Sequence, residues 1–153
     1  MIVRRTLLTL AIVTIFFVPA VAHGADVDVL KAAFEQGVKA LNALDVDGFM
    51  ALAHDQSVAF GAASPFPTDG KAAQRQVIQN VMNNRESQTF TPINPQFRVI
   101  GTTGIAWGNA SIAIKPKGGP LDTNYVRYTI IFAKSDGKWL RVATHLSWMP
   151  AGN

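Results

Sequence analysis

After the first two dozen residues, the apolar positions follow two different rhythms. Leu30, Phe34, Gly37, Leu41 and Leu44 recur at helical spacing, which predicts an α-helix with one buried face, capped by Asp26 or Asp28. Asp47 predicts the cap of a short second helix carrying Phe49, Leu52 and Ala53, with Asp45 to Asp47 as a tight link. Ser57-Val58-Ala59-Phe60-Gly61 is too short and too β-branched at its centre for a helix and predicts a first strand. Pro65 and Pro67 break the chain beyond it, because each lacks a backbone donor and restricts its predecessor. Thr68 or Asp69 then caps a third helix whose inward face carries Ala73, Val77, Val81 and Met82.

From Asn83 the rhythm shortens. Thr89 to Pro95 contains two prolines and reads as a connection. Four long strands follow: Gln96 to Ile100, Ile105 to Lys115, Tyr125 to Lys134 and Lys138 to Trp148. Gly101 to Gly104, Pro116 to Asp122 and Ser135-Asp136-Gly137 join them with hairpin turn chemistry. No helix intervenes, so neighbours pair antiparallel. Helices first and a meander afterwards predict an α+β domain with the helices packed on one face of the sheet. Alternation places Leu140, Val142, Thr144, Leu146 and Trp148 on the buried face of the last strand, and Arg141, Ala143, His145 and Ser147 on the other. In the preceding strand Val126, Tyr128, Ile130 and Phe132 form the apolar set, opposed by Tyr125, Arg127, Thr129 and Ile131.

The N-terminus carries a different signal. Arg4 and Arg5 precede an apolar run from Leu7 to Val18, and Pro19 is followed by small residues, the pattern of a secretory leader. The run is shorter than the ~20 residues of a spanning helix. The expected organisation is a signal peptide over 1–24, cleaved after Ala22 or Gly24, and one domain over 25–153, periplasmic or secreted and free of the membrane once the leader is removed. The formal charge of +4 falls to +2 without the two leader arginines. The remaining Lys and Arg are dispersed, which excludes a nucleic-acid footprint. No cysteine is present, which excludes disulfides, thiolate chemistry and cysteine metal sites.

The order helix, short helix, strand, helix, long antiparallel sheet resembles the nuclear-transport-factor-two-like cone of the SnoaL-like and ketosteroid-isomerase-like families. Asp136-Gly137-Lys138-Trp139, Val142, His145, Ser147 and Pro150, with Asn94-Pro95 and Gly101 upstream, resemble the association-domain branch, the hub of calcium/calmodulin-dependent protein kinase II and its bacterial relatives. The resemblance implies a curved antiparallel sheet wrapped on the N-terminal helices, with a pocket between them. Similar hub domains line that pocket with strand arginines. Those arginines favour small carboxylates; by the resemblance their positions fall at Ser111, Ile130 and Leu146, none of them basic, a departure that argues against anion binding. An apolar-walled pocket with a few polar groups follows, with Trp107, Asn109, Ser111, Tyr128 and Thr144 as ligand-binding candidates for a small, largely apolar molecule.

Three functional classes are compatible with such a chain: a small-molecule binding protein, a SnoaL-like isomerase, cyclase or hydratase, and an oligomerisation module. Isomerase chemistry needs a carboxylate base beside an oxyanion donor. Tyr128 is a possible donor, yet the four strands contain no Asp or Glu, and His54-Asp55 is the acid pair nearest a plausible rim. Arg127, His145 and Ser147 share the outward set and predict the interface of a homo-oligomer, a dimer or larger. No metal is expected, because neither His54 nor His145 has a carboxylate at ligand spacing, and no cofactor is implied.

Overall fold

The computed structural model describes residues 21–62 and 64–150. The expected signal peptide (1–24) falls mainly on 1–20, outside the described residues. Among the described residues no helix is long and apolar enough to cross a membrane.

The first helix, α1 (Val21–Asn42), starts upstream of both expected caps, and Asp26 instead forms an ion pair with Lys134. Leu30 and Phe34 are buried as the helical spacing requires. The helix ends before Leu44, which adopts a left-handed conformation (φ 54°). The N–H of Asp45 donates to the carbonyl of Ala40, and that of Leu44 to Leu41, a Schellman closure built on a leucine instead of the usual glycine. The short helix α2 (Val46–Ala51) is capped by Asp45, whose carboxylate accepts from the Gly48 N–H at 2.9 Å. Asp47, the expected cap, pairs with Arg75.

Chain reversal after α2 puts Ala53 into a strand instead of a helix. Strand β1 (Ala53–Phe60) is followed by the two-residue β2 (Thr68–Asp69) and by α3 (Lys71–Asn83). Thr68 and Asp69 therefore belong to a strand, and Gly70 is the N-cap. The inward residues of α3 are Gln74 and Met82; Ala73 and Val77 are exposed. Gln74 sits inside because its amide donates to the carbonyl of Ser57 at 2.6 Å.

Strand β3 (Arg85–Ile100) runs through the segment predicted as a connection. Two facts reconcile it with Pro92 and Pro95. The sheet order is β2-β1-β6-β5-β4-β3, so β3 is an edge strand, where a missing N–H costs no ladder bond on the free side. The pairing with β4 (Thr103–Pro116) also shifts between Ile93 and Gln96, and Asn94 takes φ 47° there. Strands β5 (Asp122–Ser135) and β6 (Lys138–Trp148) complete an antiparallel meander, joined by Asp136-Gly137 with both residues at positive φ, the type I′ signature of a two-residue hairpin. β6 then pairs parallel with β1. The result is α+β: a curved, unclosed six-stranded sheet with the helices on its concave side.

Two hydrophobic clusters form. The larger joins Leu30 and Phe34 of α1 to Phe90, Ala106, Ala110, Val126, Tyr128, Phe132 and Trp139 of the sheet. The smaller joins Val46, Met50, Ala53 and Met82 beneath α2 and α3.

The open edge of β3 is partly covered by a side chain. The Asn42 amide donates to the Phe90 carbonyl at 3.1 Å and accepts from the Phe90 N–H at 2.7 Å, pairing both backbone groups as a neighbouring strand would. Asn42→Ala strips both partners from partly buried groups, so stability in urea denaturation should fall by about 2 kcal/mol; an unchanged midpoint would show that water replaces the amide freely.

Candidate functional site

Strand β6 decides which side chains face the helices. Its pairing with β5 shifts between Ile131 and Phe132: Ile131 lies opposite Ala143, but Phe132 lies opposite Arg141. Val142 is thus an extra residue, and such a bulge inverts the alternation on its two sides. Trp139 and Arg141 consequently share the inner face with Thr144, Leu146 and Trp148. The simple alternation that put Leu140 and Val142 inside and Arg141 outside is overturned for the first half of the strand. Trp139 and Arg141 are buried, while Leu140 and Val142 are only half-buried.

On this inner face lies a cavity of about 380 Å³, within the usual range for small-molecule sites. It occupies the gap between the two clusters, walled by Phe90, Ile112 and Ile114 of the sheet and by Ile78, Val81 and Met82 of α3. Val77 and Trp148 contribute to its lining while remaining well exposed, so apolar side chains reach both the cavity and solvent. A smaller recess of about 60 Å³ runs beside α1 to Tyr128. Leu41, Phe49, Phe90, Arg141, Thr144 and Leu146 line both spaces. Neither is lined by an Asp or Glu.

The polar groups are few and distinctive. Arg141 is 6% exposed, its guanidinium carbon lies 4.0 Å from the Phe49 ring centroid, and burial lowers its pKa from the ordinary value to about 10. Arg85, half-buried on the cavity wall, is also pushed down by burial. The Thr144 hydroxyl and the Gln88 side-chain oxygen are buried without protein partners. So is the Tyr128 hydroxyl, whose pKa burial pushes up to about 12. Tyr128 stacks on Phe34 (centroids 5.6 Å, 21°) and meets Phe90 edge-on at 5.6 Å. Its hydroxyl fits against β4 because residue 108 is glycine: a Cβ there would stand 3.1 Å from the oxygen.

The five expected ligand-binding residues separate. Tyr128 and Thr144 line the inner spaces. Trp107, Asn109 and Ser111 lie on the opposite face, in register with Thr129, Arg127 and Tyr125. The inner side of β4 instead presents Gly104, Ala106, Gly108 and Ala110, small enough for α1 and Tyr128 to approach. Trp107 packs against the Arg98 guanidinium, 5.5 Å from the ring centroid. Of the positions where the hub resemblance implies arginines, Ile130 and Leu146 face the recess and Ser111 faces away from it.

Arg127, His145 and Ser147 fall together on the outer face: Arg127 pairs in register with Ser147, and Thr129 with His145. His145 is exposed and meets the Phe60 ring edge-on at 6.0 Å. His54 and Asp55 line neither space. The His54 Nδ1 accepts from the Gln56 N–H, and Asp55 pairs with Lys71 at 3.7 Å. Among the described residues no cluster of three His, Cys, Asp or Glu could hold a metal ion. Arg141, Arg85 and Gln88 went unrecognised in the sequence. The one sequence signal for Arg141 was the conflict between Trp139, which demands burial at an odd position, and Leu146, which demands it at an even one.

The family model for the SnoaL-like domain matches residues 30–152. Among curated proteins, none matches the chain. A provisionally named dehydratase of the nuclear transport factor 2-like family from Streptomyces avermitilis superposes with a TM-score of 0.77 at 19% identity, covering 84% of this chain and 99% of that one. A provisionally named calcium/calmodulin-dependent protein kinase II association domain from Xanthomonas campestris gives 0.72 at 19%, covering 80% and 87%. A nuclear transport factor 2-like superfamily protein from Salmonella enterica gives 0.76 at 12%, covering 85% and 95%. At such identities the structural likeness concerns the fold, while the family model spans most of the sequence: the chain belongs to the SnoaL-like family and has the nuclear transport factor 2-like cone fold.

Proposed function

We propose that this protein, exported to the periplasm or secreted, binds a small and largely apolar molecule in the cavity between sheet and helices, without chemical turnover. The observation that carries the reading is the cavity of about 380 Å³ with apolar walls and no acidic lining residue. An unfilled apolar space of this size forfeits packing contacts, and a matching ligand restores them. The provisional dehydratase name of the Streptomyces structure supports an enzyme as the alternative. A dehydratase or isomerase in this cavity needs a general base, and carboxylates are absent from both linings. Tyr128, held neutral by burial, serves as a hydrogen-bond donor and not as a base.

Self-association through the outer face is a second, compatible part of the proposal. Tyr125, 54% exposed, stands there beside Arg127 and His145, an aromatic and basic surface of the kind enriched at interfaces. Light scattering of the exported protein should give a dimer or larger, and a monomer at all working concentrations would remove this part.

A neutral aromatic ligand such as naphthalene methanol, at about one hundred times its dissociation constant, should raise the melting temperature by roughly 5–11 °C. Leu146→Trp fills the space both recesses share and should abolish that rise while the protein stays folded. If no apolar compound shifts the wild type and none copurifies with it, the cavity is not a ligand site.

The neutral state of Tyr128 is testable separately. Its folded pKa of about 12 lies above the ordinary tyrosine value of 10, so its contribution to stability is complete below pH 10 and is lost as the pH rises through about 12. Phenolate absorbance should show a step near pH 12 that Tyr128→Phe removes, and the variant should resist alkaline unfolding between pH 10 and 12 better than the wild type.

A further inference from the structure

Among the described residues Arg141 is the one charged side chain that is fully buried, and it belongs to none of the ion pairs. Its backbone N–H is used, donating to the Leu52 carbonyl at 2.8 Å. Its guanidinium touches the Phe49 ring, a contact that engages the charge; among the described residues no side-chain hydrogen bond takes up its N–H donors, and they are not among the polar atoms sealed from the cavity. A buried cation in this state destabilises a fold; an apolar side chain of similar volume does better at such a position. The cavity wall around it carries no acid, and a second arginine, Arg85, adds positive potential. Thr144, three residues along the inner face of β6, adds a buried hydroxyl without a partner. Charge, missing acceptors and an apolar remainder are complementary to one kind of molecule.

We propose that the cavity receives an apolar molecule bearing a single carboxylate, with the head group held two-pronged by Arg141 and by the Thr144 hydroxyl and the apolar body lying along Phe90, Ile112 and Leu146. The proposal rests on the binding function above and names its ligand class. A planar guanidinium matches a carboxylate through two parallel hydrogen bonds, and one monoanion neutralises one buried cation. Phosphate esters, with a second charge and a third oxygen to satisfy, suit this cavity less well, because most of its remaining lining is apolar. Arg141 reaches the cavity only through the bulge at Val142 and stands at none of the positions where the family resemblance implies arginines.

The test uses a matched pair of probes, 2-naphthoate and 2-naphthalenemethanol, titrated calorimetrically into the full protein near neutral pH. The acid should bind roughly 10- to 100-fold tighter than the alcohol, the ratio carried by charge-assisted hydrogen bonds. Arg141→Met should abolish that preference and keep alcohol binding, and Arg141→Lys should retain only part of it. The melting temperature of ligand-free Arg141→Met should rise, because an uncompensated buried charge has been removed. Equal wild-type affinity for acid and alcohol would overturn the carboxylate assignment and leave the binding function intact. So would a preference that survives in Arg141→Met. Failure of both probes to bind would overturn both, and a lowered melting temperature in Arg141→Met would identify Arg141 as a structural anchor on Phe49.

Discussion

Helix α1 can lie on the concave side of the sheet because the first half of the inner face of β4 is nearly devoid of side chains. Gly104, Ala106, Gly108 and Ala110 follow one another along it, all in register with the apolar set of β5. Leu30 of α1 lies so close that a Cβ on Gly104 would stand 2.6 Å from its Cδ1. Phe34 then reaches the sheet and meets Phe97 at 5.4 Å and Tyr128 at 5.6 Å, with Phe90 beyond. This aromatic ladder binds α1 to one end of the cone and fills it. Nothing comparable fills the other end, where α2 and α3 pack on their own smaller cluster. The cavity is the space between these two independently packed cores.

The bulge in β6 has a consequence out of proportion to its size. One extra residue lets Trp139 pack in the core while Leu146 and Trp148, at positions of opposite parity, still face the helices. It also carries Arg141 inward between them. The cation–π contact with Phe49 offsets part of the desolvation, by about 2 kcal/mol when such a pair is dry, against a penalty of several kcal/mol for a buried ion. The remainder is a destabilising feature retained at the wall of a cavity, in a domain whose ion pairs lie at or near the surface.

The two faces of the sheet have distinct chemical characters. The inner wall is mainly apolar, with isolated hydroxyls, the amides of Gln74 and Gln88 and the guanidinium groups of Arg85 and Arg141. The outer face is mixed, with Trp107 under Arg98 and a row formed by Tyr125, Arg127, Thr129 and His145. A cone fold hosts many activities, so the family alone leaves the reaction open. The proposed function rests on the inner wall, whose described lining carries unpartnered hydroxyls and arginine side chains and no Asp or Glu.

The element order, the hairpin at Asp136-Gly137 and the burial of Val126, Tyr128 and Phe132 were legible in the sequence, because helical spacing, turn residues and strand alternation are local properties. The outward placement of Arg127, His145 and Ser147 was legible for the same reason. Tertiary structure decided the rest. Proline argued against a strand over Thr89 to Pro95 until β3 proved to be an edge, where the missing donors face no neighbour. Trp107 and Asn109 looked like better pocket residues than the glycines and alanines beside them, yet a helix can approach a sheet only over small side chains. The membership of Arg141 in the cavity depended on where β6 pairs with β5, and strand register is a relation between two segments that neither segment contains alone.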